Sequence, residues 1–488
     1  AFSVAGVTTL AGDTVIDADR GAVTFSGTVD GGFTLDVKSR GTTTFVRAVG
    51  NLTTLKGLTT DAGGSTATAG VNTNGTQSYG DEVSLNGQYV VDGDGTFSVA
   101  QATTLSGPVA VKTDGGTITF GGRIDSLLGK GFPLTLSAGA GEVLLKGPIG
   151  SKQALGGVAV ETASEVTADE RVILDGSLGY AAADGLSIGD GVTAKFASGG
   201  AIRGFTGSGV VFQGASRDSE IRGFTIADNV NDGIQLAAEG SAAPVDYSGT
   251  VIAGNTIIGN SAFGIETASP VTNLTISGNT IGTAGTSNPW NYVTSGPNTH
   301  GIVLAPGDSS GTQISGNTIA FNRSNGITSS AGVQGVWISG NTIEHNGLNG
   351  IAFTTGDFTG TTITGNTIRS NTVDGISLGA GIGQGATTGG DPLAGYTASL
   401  GHYLVKYAND PDFYNPGIPA ADRASEPSLG SVYDGQASVA APPGCSPIRR
   451  PPPSGSTSPS TSSTSGAPAG CRCRSTRPGA PTTRSCCA

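Results

Sequence analysis

Short stretches in which apolar and polar side chains alternate recur along the chain up to about residue 380. In one segment they lie at residues 336–338, 342–344 and 350–353. Alternation with a period of two places every second side chain on the same face, which is typical of a half-buried strand. The stretches are rich in Val, Ile and Thr, which favour strands, and Gly and Asn between them favour tight turns. The pattern therefore predicts short strands joined by turns rather than helices.

A repeat organises these strands between residues 230 and 380. The sequence Gly-Asn-Thr-Ile occurs five times, and a Gly-Ile pair occurs six times between Gly233 and Ile376. The asparagine positions advance by 24, 38, 24 and 25 residues. A repeat of this length made of strand and turn residues predicts one coil of a parallel β-helix, in which equal positions of successive coils lie above one another. The asparagines then form a ladder of stacked side-chain amides: Asn255, Asn279, Asn317, Asn341 and Asn366.

A second ladder and an insertion follow from the same spacing. The second ladder is expected at Asn229, Asn260, Asn322, Asn346 and Asn371. The 38-residue step fits one coil that carries an inserted loop, which we place at residues 286–298. Insertions in such repeats map to loops on one face, and these faces often bind ligands.

The first half of the chain contains a different repeat of the same kind. Residues 1–30 align without a gap with residues 96–125, at an offset of 95, and 14 of the 30 positions are identical. At 24 residues per coil this unit corresponds to about four coils. One continuous solenoid over residues 1 to 380, with roughly sixteen coils, is the simplest prediction. A weak amphipathic helix near residues 163–171 is the one possible exception.

Composition and charge narrow the classes of partner. The chain has 488 residues, 82 of them Gly, with 13% charged residues and a net charge of −12. This composition excludes a helical bundle or a coiled coil. Residues 445–488 hold six Arg and no acid, so the net charge of residues 1–444 is −18. An acidic surface argues against nucleic acid and anionic membrane as partners.

The C-terminal part has a different composition. We divide the chain into residues 1–180 and 181–380, both solenoid, residues 381–440 as a cap or linker, and residues 441–488 as a disordered tail rich in Pro, Ser, Arg and Cys. Cysteine is absent before Cys445, so the solenoid uses no disulfide. No apolar run approaches the length of a membrane-spanning helix. The chain lacks Met even at position 1, so we expect that it starts inside a larger coding sequence or after processing, and we favour a fragment of a larger parent chain.

The repeats resemble two groups of proteins. The coils with Gly-Asn-Thr-Ile, Asn and Gly-Ile, over about residues 200–380, resemble the right-handed parallel β-helix repeats of bacterial surface proteins and of pectate-lyase-like carbohydrate enzymes. The first half, with Val71-Asn72-Thr73-Asn74-Gly75 and Val83-Ser84-Leu85, resembles the strand repeats of large secreted exoproteins of the filamentous-haemagglutinin and adhesin type. Together these resemblances imply a secreted or surface-exposed bacterial protein, and the same fold hosts lyases, hydrolases, epimerases and inert stalks.

Candidate catalytic residues are few. Asp232, His300 and Asp374 each precede the Gly of a Gly-Ile pair, which places all three on one edge of the helix. The two aspartates are five coils apart, too far to act on one substrate bond. His300 follows the insertion, whose Trp290 and Tyr292 are candidates for stacking on a sugar ring. Glu344 and His345 are adjacent in a strand and are expected to point to opposite sides.

Metal binding has only weak support. Residues 92–95 (Asp-Gly-Asp-Gly) and 189–191 (Gly-Asp-Gly) are short acidic turns. Neither the Gly-Gly-x-Gly-x-Asp calcium roll nor the twelve-residue helix-flanked calcium loop occurs. We therefore expect no metal site and no cofactor, with incidental Ca²⁺ binding as the alternative at these turns.

The sequence favours a non-enzymatic structural or adhesin-type segment of an extracellular or surface-exposed bacterial exoprotein. Its expected partners are polysaccharides or glycans of a host or cell surface. The alternative is a polysaccharide-acting lyase, hydrolase or epimerase of the pectate-lyase-like class. That alternative requires charged residues clustered on adjacent coils, and the sequence alone identifies no such cluster.

Overall fold

The structure, a computed structural model, describes residues 1–237, 243–282, 297–354 and 356–378. These residues form strands, turns and connecting segments, and none of them is helical. Residues 163–171, where a weak helix was considered, contain the strand Glu165–Ala168 instead. Its Val166 side chain is buried in the core, so tertiary packing decides the conformation of this segment.

The described residues contain 47 strands, almost all of two to five residues. In the first part of the chain they are β1 (Phe2–Val4), β2 (Thr8–Thr9), β3 (Thr14–Asp17), β4 (Val23–Phe25), β5 (Val29–Asp30), β6 (Thr34–Lys38), β7 (Thr42–Phe45), β8 (Gly57–Thr60), β9 (Ser65–Thr68), β10 (Val71–Thr73), β11 (Gln77–Tyr79), β12 (Glu82–Val91), β13 (Phe97–Val99), β14 (Thr103–Thr113), β15 (Ile118–Phe120), β16 (Ile124–Ser126), β17 (Leu134–Ser137), β18 (Glu142–Leu145), β19 (Val158–Thr162) and β20 (Glu165–Ala168).

The second part continues with β21 (Val172–Asp175), β22 (Leu186–Ile188), β23 (Thr193–Phe196), β24 (Gly200–Arg203), β25 (Val210–Phe212), β26 (Glu220–Arg222), β27 (Phe224–Ala227), β28 (Ile234–Leu236), β29 (Val245–Asp246), β30 (Val251–Ala253), β31 (Thr256–Ile258), β32 (Phe263–Thr267), β33 (Val271–Thr272), β34 (Thr275–Ser277), β35 (Thr280–Gly282), β36 (His300–Val303), β37 (Gly307–Asp308), β38 (Gln313–Ser315), β39 (Thr318–Ala320), β40 (Ile327–Ser329), β41 (Val333–Gln334), β42 (Trp337–Ser339), β43 (Thr342–Glu344), β44 (Ile351–Phe353), β45 (Thr362–Thr364), β46 (Thr367–Arg369) and β47 (Ile376–Leu378).

Every strand pairing is parallel, and each strand pairs with the corresponding strand one coil away. The strands therefore stack into three faces, apart from two short separate pairs, β29 with β33 and β37 with β41. In the second half, a coil passes through a strand of face 1, such as β31, then face 2, such as β32, and then face 3, such as β34. The long strands β12 and β14 bend from face 1 into face 2 within one strand. Face 3 contains fifteen strands, from β3 to β45, and therefore counts fifteen coils.

The interior is a continuous column of stacked apolar side chains. Leu, Ile, Val and Phe alternate with outward Thr and Ser on each face, and the inward side chains are almost completely buried. Aromatic side chains stack in the first half, as in Phe25 and Phe45, whose ring centroids are 5.3 Å apart and whose planes differ by 3°. Burial of this column supplies the main favourable free energy of folding.

The internal repeat of the first half is rotated by one face between its two copies. Phe2 and Val23 pair on face 1, whereas the equivalent Phe97 and Ile118 pair on face 3. The prediction that 95 residues make about four coils is therefore wrong: they make four coils and two further faces. The reason is that coils here have about 20 residues, as the pairing of Val83 with Thr103 shows, rather than the 24 of the second half.

The solenoid continues without a break where the two repeats meet. Strands β19, β20 and β21 pair with β22, β23 and β24 across residue 180. The insertion of the 38-residue step lies between β35 and β36, at the turn from face 1 to face 2. Residues 381–440 and 441–488 lie outside the described residues.

Candidate functional site

The five Gly-Asn-Thr-Ile asparagines lie in one buried row at the turn from face 3 to face 1. Asn255 donates from Nδ2 to Asn279 Oδ1 (3.0 Å), and the same bond links each later pair at 2.8–2.9 Å. The second Nδ2 hydrogen goes to an isoleucine carbonyl of the preceding coil, as from Asn317 to Ile276 (2.9 Å). Each side-chain oxygen also accepts a backbone N–H of its neighbour. Because every polar atom is paired, these buried amides stabilise the stack.

A second buried row lies at the turn from face 1 to face 2. It contains Asn229, Asn260, Asn298, Asn322, Asn346 and Asn371. The position of Asn298 in this row corrects the prediction from the sequence, which places it in the inserted loop. The missed signal is its position three residues before the Gly of a Gly-Ile pair, whereas the other members of the row lie four residues before theirs. The structure bonds Asn298 Nδ2 to Asn322 Oδ1 at 3.2 Å.

The candidate catalytic residues belong to a third row, here called the edge row, where the chain enters face 2. Its members are Asp184, Ser208, Asp232, Phe263, His300, Asn325, Asn349 and Asp374. Most of these side chains accept the backbone N–H of the next member. Asp232 Oδ1 accepts from Phe263 N (2.9 Å), His300 Nδ1 from Asn325 N (3.2 Å) and Asn349 Oδ1 from Asp374 N (3.1 Å). The row joins coil to coil as the asparagine ladders do.

The environment of His300 suits this role rather than acid–base catalysis. Nδ1 accepts a hydrogen bond, so the neutral ring carries its proton on Nε2. Burial lowers the pKa of His300 below its usual value, and the ring packs 5.5 Å from that of Phe263. A protonated ring would lose the bond to the Asn325 N–H, so the fold favours the neutral form.

The structure does not bring the three candidates together. Asp232 and Asp374 are joined through five coil-to-coil steps of strand pairing, or roughly 24 Å at the usual strand spacing. Burial raises the pKa of Asp374, while Asp232 is almost fully buried. Trp290 and Tyr292 lie outside the described residues.

One cluster of charged residues on adjacent coils does exist. Glu344 Oε2 accepts a hydrogen bond from Arg369 Nε at 2.5 Å and lies 4.0 Å from His345 Nδ1. The expectation that Glu344 and His345 point to opposite sides is wrong. His345 has φ of +54°, so the strand alternation ends there and both side chains approach each other. The His345 ring stacks on Phe321 with a centroid distance of 4.9 Å.

Metal and membrane sites are not indicated by the described part of the chain. Within it, no three His, Cys, Asp or Glu side chains are placed to hold a metal ion. In the turn at residues 189–191, Asp190 Oδ1 accepts the Ala215 N–H at 2.8 Å. Incidental Ca²⁺ binding at the acidic turns stays a prediction. The same residues contain no helix of the length and hydropathy needed to cross a membrane.

The fold and its stacked rows define a parallel β-helix repeat protein. Residues 149–301 and 286–384 match the family model described as "Right handed beta helix region". The chain is therefore a right-handed β-helix repeat protein, and the predicted all-β fold class is confirmed. No curated protein matches the sequence.

Among solved structures, the chain is similar to the periplasmic alginate epimerase AlgG. The identity is 11%, and the match covers 69% of this chain and 76% of that chain with a TM-score of 0.38. At this TM-score the likeness carries no argument about function.

Proposed function

We propose that this chain is a non-enzymatic structural, adhesin-type segment of a secreted or surface-exposed bacterial exoprotein, and that its outer faces contact glycans. The observation that carries the proposal is the edge row. His300 and Asp232, which the sequence offered as catalytic groups, are engaged in coil-to-coil hydrogen bonds. Groups that are buried and bonded in this way stabilise a long stack and are poorly placed to exchange protons with a substrate.

Two further features support a structural segment. The three rows satisfy buried polar groups over many successive coils, and the apolar column needs no disulfide, since Cys445 is the first cysteine. Such a stack is stabilised by neighbouring coils alone. It therefore keeps its structure independently of the redox state of its surroundings, as a surface protein requires.

The charge distribution supports glycans as the partners. Five arginines of the described residues lie within 4.0 Å of a carboxylate: Arg123, Arg203, Arg217, Arg222 and Arg369. Each pairing neutralises a guanidinium charge, and the net charge of −18 over residues 1–444 further disfavours partners rich in phosphate. The outward positions of the strands are instead rich in Thr and Ser, whose hydroxyl groups match those of neutral sugars.

The test is retention and depolymerisation of neutral and acidic polysaccharides by the full chain, with reducing ends and unsaturated products as readouts. We expect retention of at least one glycan without turnover. Turnover of any polysaccharide would refute the non-enzymatic proposal. If the chain neither retains nor degrades any polysaccharide, glycan contact is refuted, and the remaining function is that of a spacer segment.

The second candidate is a polysaccharide-acting enzyme, and the cluster of Glu344, His345 and Arg369 favours it. Here His345 would move a proton, since its ring is partly exposed, and Arg369 would hold a sugar carboxylate after release from Glu344. If turnover is observed, His345→Ala should abolish it and His300→Asn should not. The reverse result would place the chemistry at the edge row.

A further inference from the structure

A cleft of about 210 Å³ opens on the outside of face 2 in the first half of the chain. Its floor consists of Thr135, Ala159 and Ser187, the outward residues of β17, β19 and β22, which pair directly with one another. The rest of the lining includes Pro133, Ala182 and Asp184, which come just before these strands in the chain. We infer, on the basis of the proposed contact with glycans, that this cleft binds one neutral pyranose unit of a glycan.

Three connections from face 1 to face 2 build the wall of the cleft, and they are bonded to one another. The segments are residues 127–133, 150–157 and 176–185, one in each of three successive coils. Gly156 N donates to Phe132 O (3.1 Å), Ala182 N donates to Gly156 O (2.7 Å) and Gly131 N donates to Gly179 O (3.2 Å). Since these segments are hydrogen-bonded to one another, binding requires little ordering of the chain.

One residue of this wall, Tyr180, has an unusual backbone conformation. It is 62% exposed and has φ of +79°, a left-handed conformation that bulky residues rarely adopt. Its ring packs 5.1 Å from that of Phe132, and Lys130 Nζ lies 5.2 Å from the Tyr180 ring centroid. Strain of this kind persists where surrounding contacts hold it, often at ligand sites. Here the aromatic pair fixes residues 176–185 beside the cleft.

The size of the cleft limits the ligand. Pockets for drug-sized ligands have volumes of roughly 300–1,000 Å³. A cleft of about 210 Å³ therefore suits a single ring rather than a longer segment of chain. Because it is open along an outer face, neighbouring units of a glycan can extend along that face.

The chemistry of the lining points to a neutral sugar. Thr135 and Ser187 offer hydroxyl groups, which both donate and accept, while Ala159 and Pro133 offer apolar surface to ring C–H groups. Asp184 Oδ1 accepts the Ser208 N–H at 2.8 Å, and its carboxylate has further lone pairs for ligand hydroxyls. The same negative charge repels a uronate carboxylate.

The test uses ligand-observed NMR on the full chain with methyl glycosides and disaccharides of neutral sugars, and with oligogalacturonate as the anionic comparator. We expect a neutral sugar to bind with a dissociation constant on the order of 1 mM, as is typical of a small ligand. Ala159→Phe fills the cleft from its outer floor without entering the core, and we expect at least a tenfold loss of affinity.

Thr119→Phe is the matched control, because Thr119 points outward from face 3, away from the cleft. It should leave the affinity unchanged and report any general effect of an added aromatic ring. Asp184→Asn retains an oxygen for the Ser208 N–H and should reduce discrimination against oligogalacturonate. No binding of any neutral sugar, equal affinity in Ala159→Phe, or preference for oligogalacturonate in the wild type would each overturn the inference. These outcomes are independent of whether the chain shows polysaccharide turnover.

Discussion

The Cγ2 methyl group of Ile281 fills the space beside Gly264 in the preceding coil. A Cβ atom on Gly264 would lie 2.4 Å from this methyl group and 2.6 Å from the Gly301 carbonyl oxygen. Ile281 belongs to a Gly-Asn-Thr-Ile segment and Gly264 to a Gly-Ile pair, so the two parts of the repeat interlock between coils. The glycine is required by close approach, because its φ is not in the left-handed region.

Replacing such a glycine should destabilise the stack. In Gly326→Ala, the new Cβ would lie 2.6 Å from Ile343 Cγ2 and 2.6 Å from the Gly350 carbonyl oxygen, which is backbone and cannot rotate away. We expect a loss of about 1–3 kcal/mol or more, the usual cost of overpacking. Gly32→Ala is the control, since no atom lies within 4 Å of its added Cβ. Thermal unfolding followed by circular dichroism would measure both, and equal midpoints would contradict the interlocking role.

The first asparagine row should be sensitive at its centre. Asn317→Ala removes the acceptor of Asn279 and the donor to Asn341 and to the Ile276 carbonyl, leaving buried groups without partners. We expect a destabilisation on the order of 3 kcal/mol. Asn231→Ala, at an exposed position, should change the unfolding midpoint little. A similar shift in both variants would show that the row contributes no special stability.

The stability of the fold should depend on the protonation of His300. Its pKa is lowered in the folded state, so the unfolded state binds the proton more tightly. Above the unfolded pKa of about 6.5 both states are neutral, and stability falls as the pH is lowered through and below that value. His300→Asn supplies a non-titrating acceptor like that of Asn325 and should remove this component between pH 8 and pH 5.

His345→Asn is the matched control for that experiment, because the His345 ring is partly exposed and stacks on Phe321. Comparing its unfolding midpoints with those of His300→Asn at both pH values shows whether a loss of pH dependence is particular to His300. An unchanged pH dependence in His300→Asn would show that the Nδ1 bond to Asn325 does not control the titration.

The two copies of the internal repeat allow a matched test of core packing. Phe97 is fully buried between Tyr79 and Phe120, with ring centroids 5.7 and 5.5 Å away, whereas the equivalent Phe2 is 39% exposed. Phe97→Ala should cost about 3–5 kcal/mol, and Phe2→Ala should cost about 1 kcal/mol. Unfolding by urea would compare them, and equal costs would contradict the pairing of Phe97 inside the stack.

Repetition made much of the fold predictable. Stacked coils place like residues above one another, so the spacing of Asn255, Asn279 and Asn317 alone predicts their row and the parallel pairing beside it. The same logic placed Asp232, His300 and Asp374 on one edge. It did not reveal what they do there, because the bond from Asn325 N to His300 Nδ1 depends on backbone orientation at the turn.

The sequence by itself determined the coil, its strands and its buried asparagines, because these follow from a period that every coil repeats. Only the tertiary structure decided the features that depend on coil length and turn conformation. A coil of about 20 residues rotated the internal repeat by one face, so Phe97 lies on face 3 and Phe2 on face 1. The positive φ of His345 brought it to Glu344. The cleft at Ala159 arose where the connections of three successive coils stack beside face 2 with their particular lengths and turns.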